Sequence, residues 1–156
     1  MKKKIEILAP AKNLIQGIAA INSGADAVYI GAPLYGARSN ATNSVEDIAE
    51  LVKYAHLFNA QVFVVINTIL YDNELEPCRQ LIWKLYEIGV DALIIQDMAI
   101  MEMELPPIVL HASTQANNRD ADKIKFLADA GIKRVVLARE LNLHQIQEIS
   151  EATDVE

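Results

Sequence analysis

The chain has 156 residues, 52% of them hydrophobic, which is enough for a buried core, excludes a disordered chain and predicts a single domain over residues 1–156. Its 14 basic and 21 acidic residues give a net charge of −7, which argues against a broad nucleic-acid-binding face, and no apolar run approaches the ~18 residues of a membrane span. The single cysteine, Cys78, excludes an internal disulfide and cannot by itself hold zinc or an iron–sulfur cluster, so we expect no metal site in these residues and a cytoplasmic location.

The apolar runs predict six short strands in chain order, with helices between them. The predicted strands are Ile5–Leu8, Ala27–Ile30, Val62–Ile66, Ala92–Ile95, Ile108–Leu110 and Arg134–Leu137. The predicted helices are Leu14–Ser23, Val45–Phe58, one that starts at Asp72 or Asn73 and ends at Gly89, one that is capped by Asn117 or Asn118 and runs through Ala130, and Leu143–Ala152. A short helix is expected after Asp97, and the closing TDVE indicates the start of a seventh strand.

Helices in this chain are predicted to end at residues that tolerate a left-handed backbone. Gly24, Gly89 and Gly131 occupy this position in three copies of one helix–strand unit, and Asn59 takes it before the third strand. Such repetition is typical of parallel β/α folds. Six units predict most of a TIM (β/α)8 barrel, which needs roughly 250 residues, so we expect the N-terminal portion of a longer chain. A complete doubly wound sheet is the alternative, although APAKN and not GxGxxG follows the first strand.

Polar residues after the strands are the functional candidates, because such barrels collect chemistry at the carboxyl ends of their strands. The densest group is the segment HASTQANN, which begins at His111. His111 is a candidate catalytic acid or base, and Ser113, Gln115 and Asn117 are candidate substrate ligands. The alternative is that these residues cap helices and stabilise the loop.

Arg139 and Glu140 follow the sixth strand at the same predicted edge. The guanidinium of Arg139 suits a carboxylate or phosphate on a ligand, and Glu140 is a candidate catalytic base. The alternative is that both pair with neighbours to hold the barrel rim. Either role predicts that the two side chains have low exposure.

Three further polar residues complete a predicted ring at this edge. Asn67 follows the third strand, Gln96 follows the fourth, and Arg38 is the only charge in the loop after the second. We predict that they bind substrate in one cavity shared by several loops. Each alone is more typical of a cap or a turn residue. No role is assigned to His56, His144 and Cys78.

Three segments stand out together: EILAPAKN with GADAVYIGA, then LHASTQANN, then GIKRVVLARELNLHQIQEI. They resemble the N-terminal region of the collagenase-like peptidases, family thirty-two of the peptidases of unknown catalytic type, over nearly the whole chain. By position, the resemblance assigns site roles to His111, Ser113, Gln115, Asn117, Arg139 and Glu140, and to Arg38 in the second loop.

The resemblance implies two different activities. Proteins of this family are labelled peptidases or collagenases, whereas other relatives resemble enzymes that hydroxylate RNA bases or quinone precursors, usually with an iron–sulfur cluster. The family's Glu-x-Phe-x-His-Gly segment and its cysteines would come after TDVE. Any cluster would therefore belong to the full-length protein and not to these residues.

We expect first a collagenase-like peptidase, a hydrolase that takes a peptide or small-molecule substrate, although no HExxH motif or convincing triad is present. The first alternative is a hydroxylase of RNA bases or small molecules, whose cluster lies beyond these residues and which contacts RNA only through those regions. The second is an inactive folded segment that forms a homodimer through open barrel edges. The segment alone is expected to be inactive.

Overall fold

The computed structural model describes residues 5–36 and 43–156. Its six strands are β1 (Leu8–Ala11), β2 (Ala27–Gly31), β3 (Gln61–Ile66), β4 (Ala92–Ile95), β5 (Val109–Ala112) and β6 (Arg134–Val135). Its five α-helices are α1 (Leu14–Asn22), α2 (Val45–Leu57), α3 (Leu75–Glu87), α4 (Ala121–Asp129) and α5 (Leu143–Ala152). Short 3₁₀ turns cover Asp72–Glu74, Met98–Glu102 and Thr114–Ala116.

The strands form one parallel sheet in the order β1-β2-β3-β4-β5-β6. Each strand therefore pairs with its neighbour in sequence, and the order never reverses as it does in a doubly wound sheet. This order is that of a (β/α)8 barrel that contains six of its strands. The predicted partial barrel is confirmed, and the doubly wound alternative is wrong.

Local signals at the helix ends act as predicted. Gly24, Gly89 and Gly131 have φ angles of +95°, +87° and +113°, and Asn59 has a φ of +55°. These left-handed residues let the chain leave each helix and turn into the next strand. At the start of α2, Ser44 and Asp47 bond to each other's backbone N–H in a reciprocal capping box.

The first strand begins later than its apolar residues suggest. The prediction of Ile5–Leu8 is wrong, because β1 runs from Leu8 to Ala11 and includes Pro10. Proline is tolerated there because β1 lies at the edge of the sheet. The predicted end of the sixth strand at Leu137 is also wrong, since only its first two residues are in the ladder with β5.

Two predictions around the HASTQANN segment are wrong. The fifth strand does not end at Leu110, because His111 pairs with Ile94 of β4 and with Arg134 of β6. The predicted caps of α4 are also incorrect: the side chain of Asp120 accepts the N–H of Lys123 at 2.9 Å and caps the helix instead.

The central strands β2, β3 and β4 are largely buried on both faces, as their apolar residues require. The outer face of the sheet and the helices share one large cluster of buried apolar side chains. The inner face holds a smaller cluster around Phe63 and Ala92. Above them, Val65, Ile94 and His111 lie in one register row that ends at Arg134 of β6. In this row, the apolar side chains of Val65 and Ile94 are thus followed by the imidazole of His111 and the guanidinium of Arg134.

Arg134 occupies the inner face of β6 with a side-chain exposure of 16%. Its two terminal nitrogens lie 2.7 and 3.0 Å from the carboxylate oxygens of Glu6, and one of them is 2.9 Å from Glu156. Its Cζ atom is 5.4 Å from the centroid of the Phe63 ring. The guanidinium thus connects both ends of the described chain with the middle of the sheet.

The last residues add one further contact to this region. The N–H of Val135 donates to the carbonyl of Glu156 at 2.7 Å, on the edge of β6 where a seventh strand would pair. In residues 5–36 and 43–156, the helices lack the length and hydrophobicity of a membrane span.

Replacing Arg134 with Gln is expected to lower the free energy of unfolding by about 2 kcal/mol, because the charge of a largely buried guanidinium is removed and the more exposed carboxylates of Glu6 and Glu156 lose their shared partner. Urea denaturation measures this change. Arg79→Gln is the matched control, since Arg79 pairs with Glu76 one helical turn away on the surface, and it should leave the free energy of unfolding nearly unchanged. Equal effects of the two substitutions would contradict the role given to Arg134.

Candidate functional site

The carboxyl ends of the central strands carry neutral polar side chains. Asn67, Gln96 and Ser113 each come directly after β3, β4 and β5. Because side chains alternate along a strand, these three lie on the same face as the Val65 and His111 row, one step closer to the mouth of the barrel. The predicted ring at this edge therefore contains amides and a hydroxyl at its centre.

His111 lies inside β5 and is only 5% exposed. Its ring meets the ring of Phe63 edge-on, with the centroids 4.8 Å apart, and its Nδ1 atom has no hydrogen-bond partner among the described residues. Burial, reinforced by the positive charge of Arg134, lowers the pKa of His111 to about 4. His111 is thus a neutral imidazole below the mouth, and its predicted place after the strand is wrong. Its catalytic role stays a prediction.

Two residues of HASTQANN hold the loop itself. The hydroxyl of Ser113, which is 3% exposed, accepts the N–H of Gln115 at 3.2 Å. Asn118 is fully buried, and its amide nitrogen donates to the carbonyls of Ser113 and Val136 at 2.8 and 2.9 Å. Asn118 therefore joins the end of β5 to the end of β6. The loop-stabilising interpretation of the segment accounts for these two residues.

A second concavity lies beside the mouth, and we name it the lateral pocket. It has a volume of about 470 Å³. It is lined by Ile69, Gln96, Asp97, Met98, Gln115, Ala116, Lys123, Phe126 and Leu127. The structure thus brings together two of the predicted ligands, Gln96 and Gln115, in one cavity built from three loops and α4. Asp97 caps the turn that follows it by accepting the N–H of Ala99 at 2.9 Å.

Sequence reasoning missed Phe126 and Lys123 as parts of this pocket. Both lie on α4, whose inward stripe is Ile124 and Leu127. An aromatic residue outside that stripe, as Phe126 is, signals an exposed ring. Arg134 was missed because it begins an apolar strand, although a charge at an inward strand position is itself a signal that partners lie nearby.

The remaining candidates do not converge on the pocket. Asn117, in a left-handed conformation at φ +56°, is exposed, and so are Arg139 and Glu140 in the turn after β6. The expected low exposure of Arg139 and Glu140 is therefore wrong, since that turn faces outward. Half-buried Asn67 donates its N–H to the carbonyl of Tyr35 at 3.0 Å. The prediction for Arg38 lies outside the described residues. The ligand roles of all these side chains stay predictions.

The described residues do not fit an iron–sulfur cluster. Such clusters are held by several cysteine thiolates, whereas Cys78 is alone and fully buried in α3. Burial raises the pKa of its thiol to about 11, which disfavours the ligating thiolate. Within the described ranges, no group of three or more His, Cys, Asp or Glu side chains is placed to hold a metal ion.

Sequential parallel strands, helices on the outer face and polar side chains at the strand ends define a protein of the β/α-barrel class. Comparison of its sequence with known families then identifies the family within this class. The chain belongs to Peptidase family U32, whose profile matches residues 12–156.

Individual relatives refine this assignment. The chain is 58% identical over 151 residues to the 23S rRNA 5-hydroxycytidine C2501 synthase of Escherichia coli strain K12. The matched residues make up 97% of this chain and 23% of that protein. The chain is 37% identical to the tRNA hydroxylation protein P1 of Bacillus subtilis strain 168, covering 99% of this chain and 37% of that protein. The solved structure of the U32 peptidase Mk0906 matches with a TM-score of 0.79 at 13% identity, covering 100% of this chain and 68% of that one, which shows a shared fold.

These relatives correct the expected activity. The sequence favoured a collagenase-like peptidase, and the family is named for peptidases, yet relatives that are similar over nearly the whole chain are named for RNA hydroxylation. The peptidase interpretation is therefore wrong as the first choice, and the hydroxylase alternative is the better one. The terms peptidase, hydrolase and collagenase-like hold only for the family name.

The pKa of His111 predicts how stability depends on pH. The unfolded chain takes up a proton at this residue below pH ~6.5, whereas the folded protein does so only near pH 4. The unfolded state thus binds more protons in this window, and the free energy of unfolding falls as the pH is lowered through it. Between pH 7 and about pH 4.5, the free energy of unfolding of the wild type should therefore fall by about 2 kcal/mol more than that of His111→Gln.

Urea denaturation across this pH range measures the effect. His144→Gln is the control, because His144 has an exposed side chain, and it should keep the wild-type dependence. Identical pH profiles for the wild type and His111→Gln would refute the assignment of a neutral, buried His111.

Proposed function

We propose that this chain is the N-terminal barrel segment of a protein that hydroxylates RNA, with ribosomal RNA as the favoured substrate. The observation that carries the proposal is the 58% identity over 151 residues with the rRNA 5-hydroxycytidine synthase. The lower identity of 37% with the tRNA hydroxylation protein makes transfer RNA the second candidate.

The chemistry of the barrel mouth supports this proposal. Asn67 and Gln96 carry side-chain amides, which both donate and accept hydrogen bonds. The edges of nucleobases present the same mixture of donors and acceptors. Enzymes that modify a base take it out of its stack and into a pocket that reads this edge. A neutral polar mouth above an apolar interior suits such a base.

We assign to this segment a share of the site and not the whole reaction. The chain spans 23% and 37% of the two relatives. Its net charge of −7 disfavours extensive contact with phosphates, which dominate RNA affinity, so most backbone contacts would come from residues outside this segment. The predicted iron–sulfur cluster of the full-length protein would likewise need ligands from outside it.

Two further predictions accompany the proposed function. An RNA-modifying protein works where RNA is, which supports the predicted cytoplasmic location. Dimerisation through the free edges of the barrel, with the segment as an inactive folded unit, stays an untested prediction.

Deletion of the gene in its own host should remove a hydroxylated nucleoside from ribosomal RNA, and the wild-type gene should restore it. Mass spectrometry of nucleosides from purified ribosomal and transfer RNA measures the species that is one oxygen heavier than its parent. Loss from transfer RNA instead would move the substrate to tRNA. Unchanged hydroxylation in both RNA pools would contradict the proposed function.

A further inference from the structure

The lateral pocket has an aromatic wall that is open to solvent. Phe126 is 66% exposed, and Ile69, from the loop after β3, is 67% exposed at the same cavity. A ligand that covers large apolar side chains removes their surface from water, which favours binding. An exposed aromatic ring is also the surface on which unpaired bases stack, whatever their sequence. The wall therefore favours a flat, aromatic ligand.

Two amides at the pocket are free for such a ligand. The side chains of Gln96, which is half-buried, and Gln115, which is exposed, make no hydrogen bond to another described residue. By contrast, both carboxylate oxygens of Asp97 are occupied, by the N–H groups of Leu70 and Ala99 at 2.9 Å each. The carboxylate of Asp97 thus stabilises the loops. The neutral amides of Gln96 and Gln115 remain for a ligand, and they can both donate and accept hydrogen bonds.

One positive charge stands at the rim of the pocket. The ammonium of Lys123 donates to the carbonyls of Ala116 and Asn117, the latter at 3.4 Å. It forms no ion pair with a carboxylate in residues 5–36 and 43–156. A fixed charge that no neighbouring carboxylate neutralises attracts an anion, and a phosphate is the anion that accompanies a base.

From these features we infer that the lateral pocket binds one unpaired nucleotide of an RNA strand, with its base on Phe126, its edge towards Gln96 and Gln115, and its phosphate beside Lys123. The volume of about 470 Å³ lies within the ~300–1,000 Å³ of typical ligand sites. The inference rests on the proposed function, which supplies RNA as the substrate. It adds a defined contact for RNA on an otherwise acidic segment.

Binding of a fluorescein-labelled single-stranded oligocytidine to the purified full-length protein tests this inference by fluorescence anisotropy. Phe126→Ala should weaken binding about tenfold, because it removes the stacking surface, and Phe126→Tyr should retain wild-type affinity. Gln115→Ala should also weaken binding. Since Phe126 and Gln115 are exposed, the urea midpoints of these variants should match the wild type, which separates loss of binding from loss of folding.

Phe58→Ala and Gln61→Ala are matched controls. Both residues are exposed and lie where α2 ends and β3 begins, at the opposite end of the barrel. They should bind as the wild type does. Wild-type affinity of Phe126→Ala and Gln115→Ala, or equal losses in the controls, would overturn the inference.

Nucleoside analysis of strains that carry these variants separates this inference from the proposed function. If wild type restores RNA hydroxylation and the pocket variants bind and restore it equally well, the inference fails while the proposed function stands. If the pocket variants lose oligocytidine binding although deletion of the gene leaves RNA hydroxylation unchanged, the pocket assignment stands and the proposed function fails.

Discussion

The ion cluster around Arg134 is the interaction on which the shape of this half-barrel depends. A guanidinium placed on the inner face of a strand needs partners, because burying an unpaired charge costs several kcal/mol. Its partners are Glu6 and Glu156, near the two ends of the described chain, and the face of Phe63. Because β1 and β6 are the two opposite edge strands of the sheet, the pairing of Glu6 with Arg134 requires that the sheet curve until the residues before β1 reach β6. The cluster therefore favours the curvature of a barrel over a flat sheet.

This arrangement also sets the electrostatics of the site. Burial, together with the charge of Arg134, lowers the pKa of His111, so the interior directly below the mouth carries no net charge from that residue. Asn67, Gln96 and Ser113 then present only neutral groups at the strand ends. The positive charge of Lys123 lies to the side of these groups, in the lateral pocket.

The sequence predicted those features that depend on local rules. Gly24 and Gly131 marked helix ends because few other residues adopt a left-handed backbone. It failed where distant contacts decide: His111 looked like a loop residue because its partners, Phe63 and Arg134, are on other strands. The exposure of Glu140 depends on the direction of a turn that no nearby residue specifies. The motifs could not distinguish a peptidase from a hydroxylase, because the segments that identify the family are common to both.

The central claim is that RNA contacts this segment at the carboxyl ends of its strands. Ultraviolet crosslinking of the full-length protein to its RNA, followed by mass spectrometry of the crosslinked peptides, tests it most directly. We expect crosslinks within this segment in the peptides that contain Gln115 and Phe126. Crosslinks confined to the opposite end of the barrel, around Phe58 and Gln61, would contradict the claim.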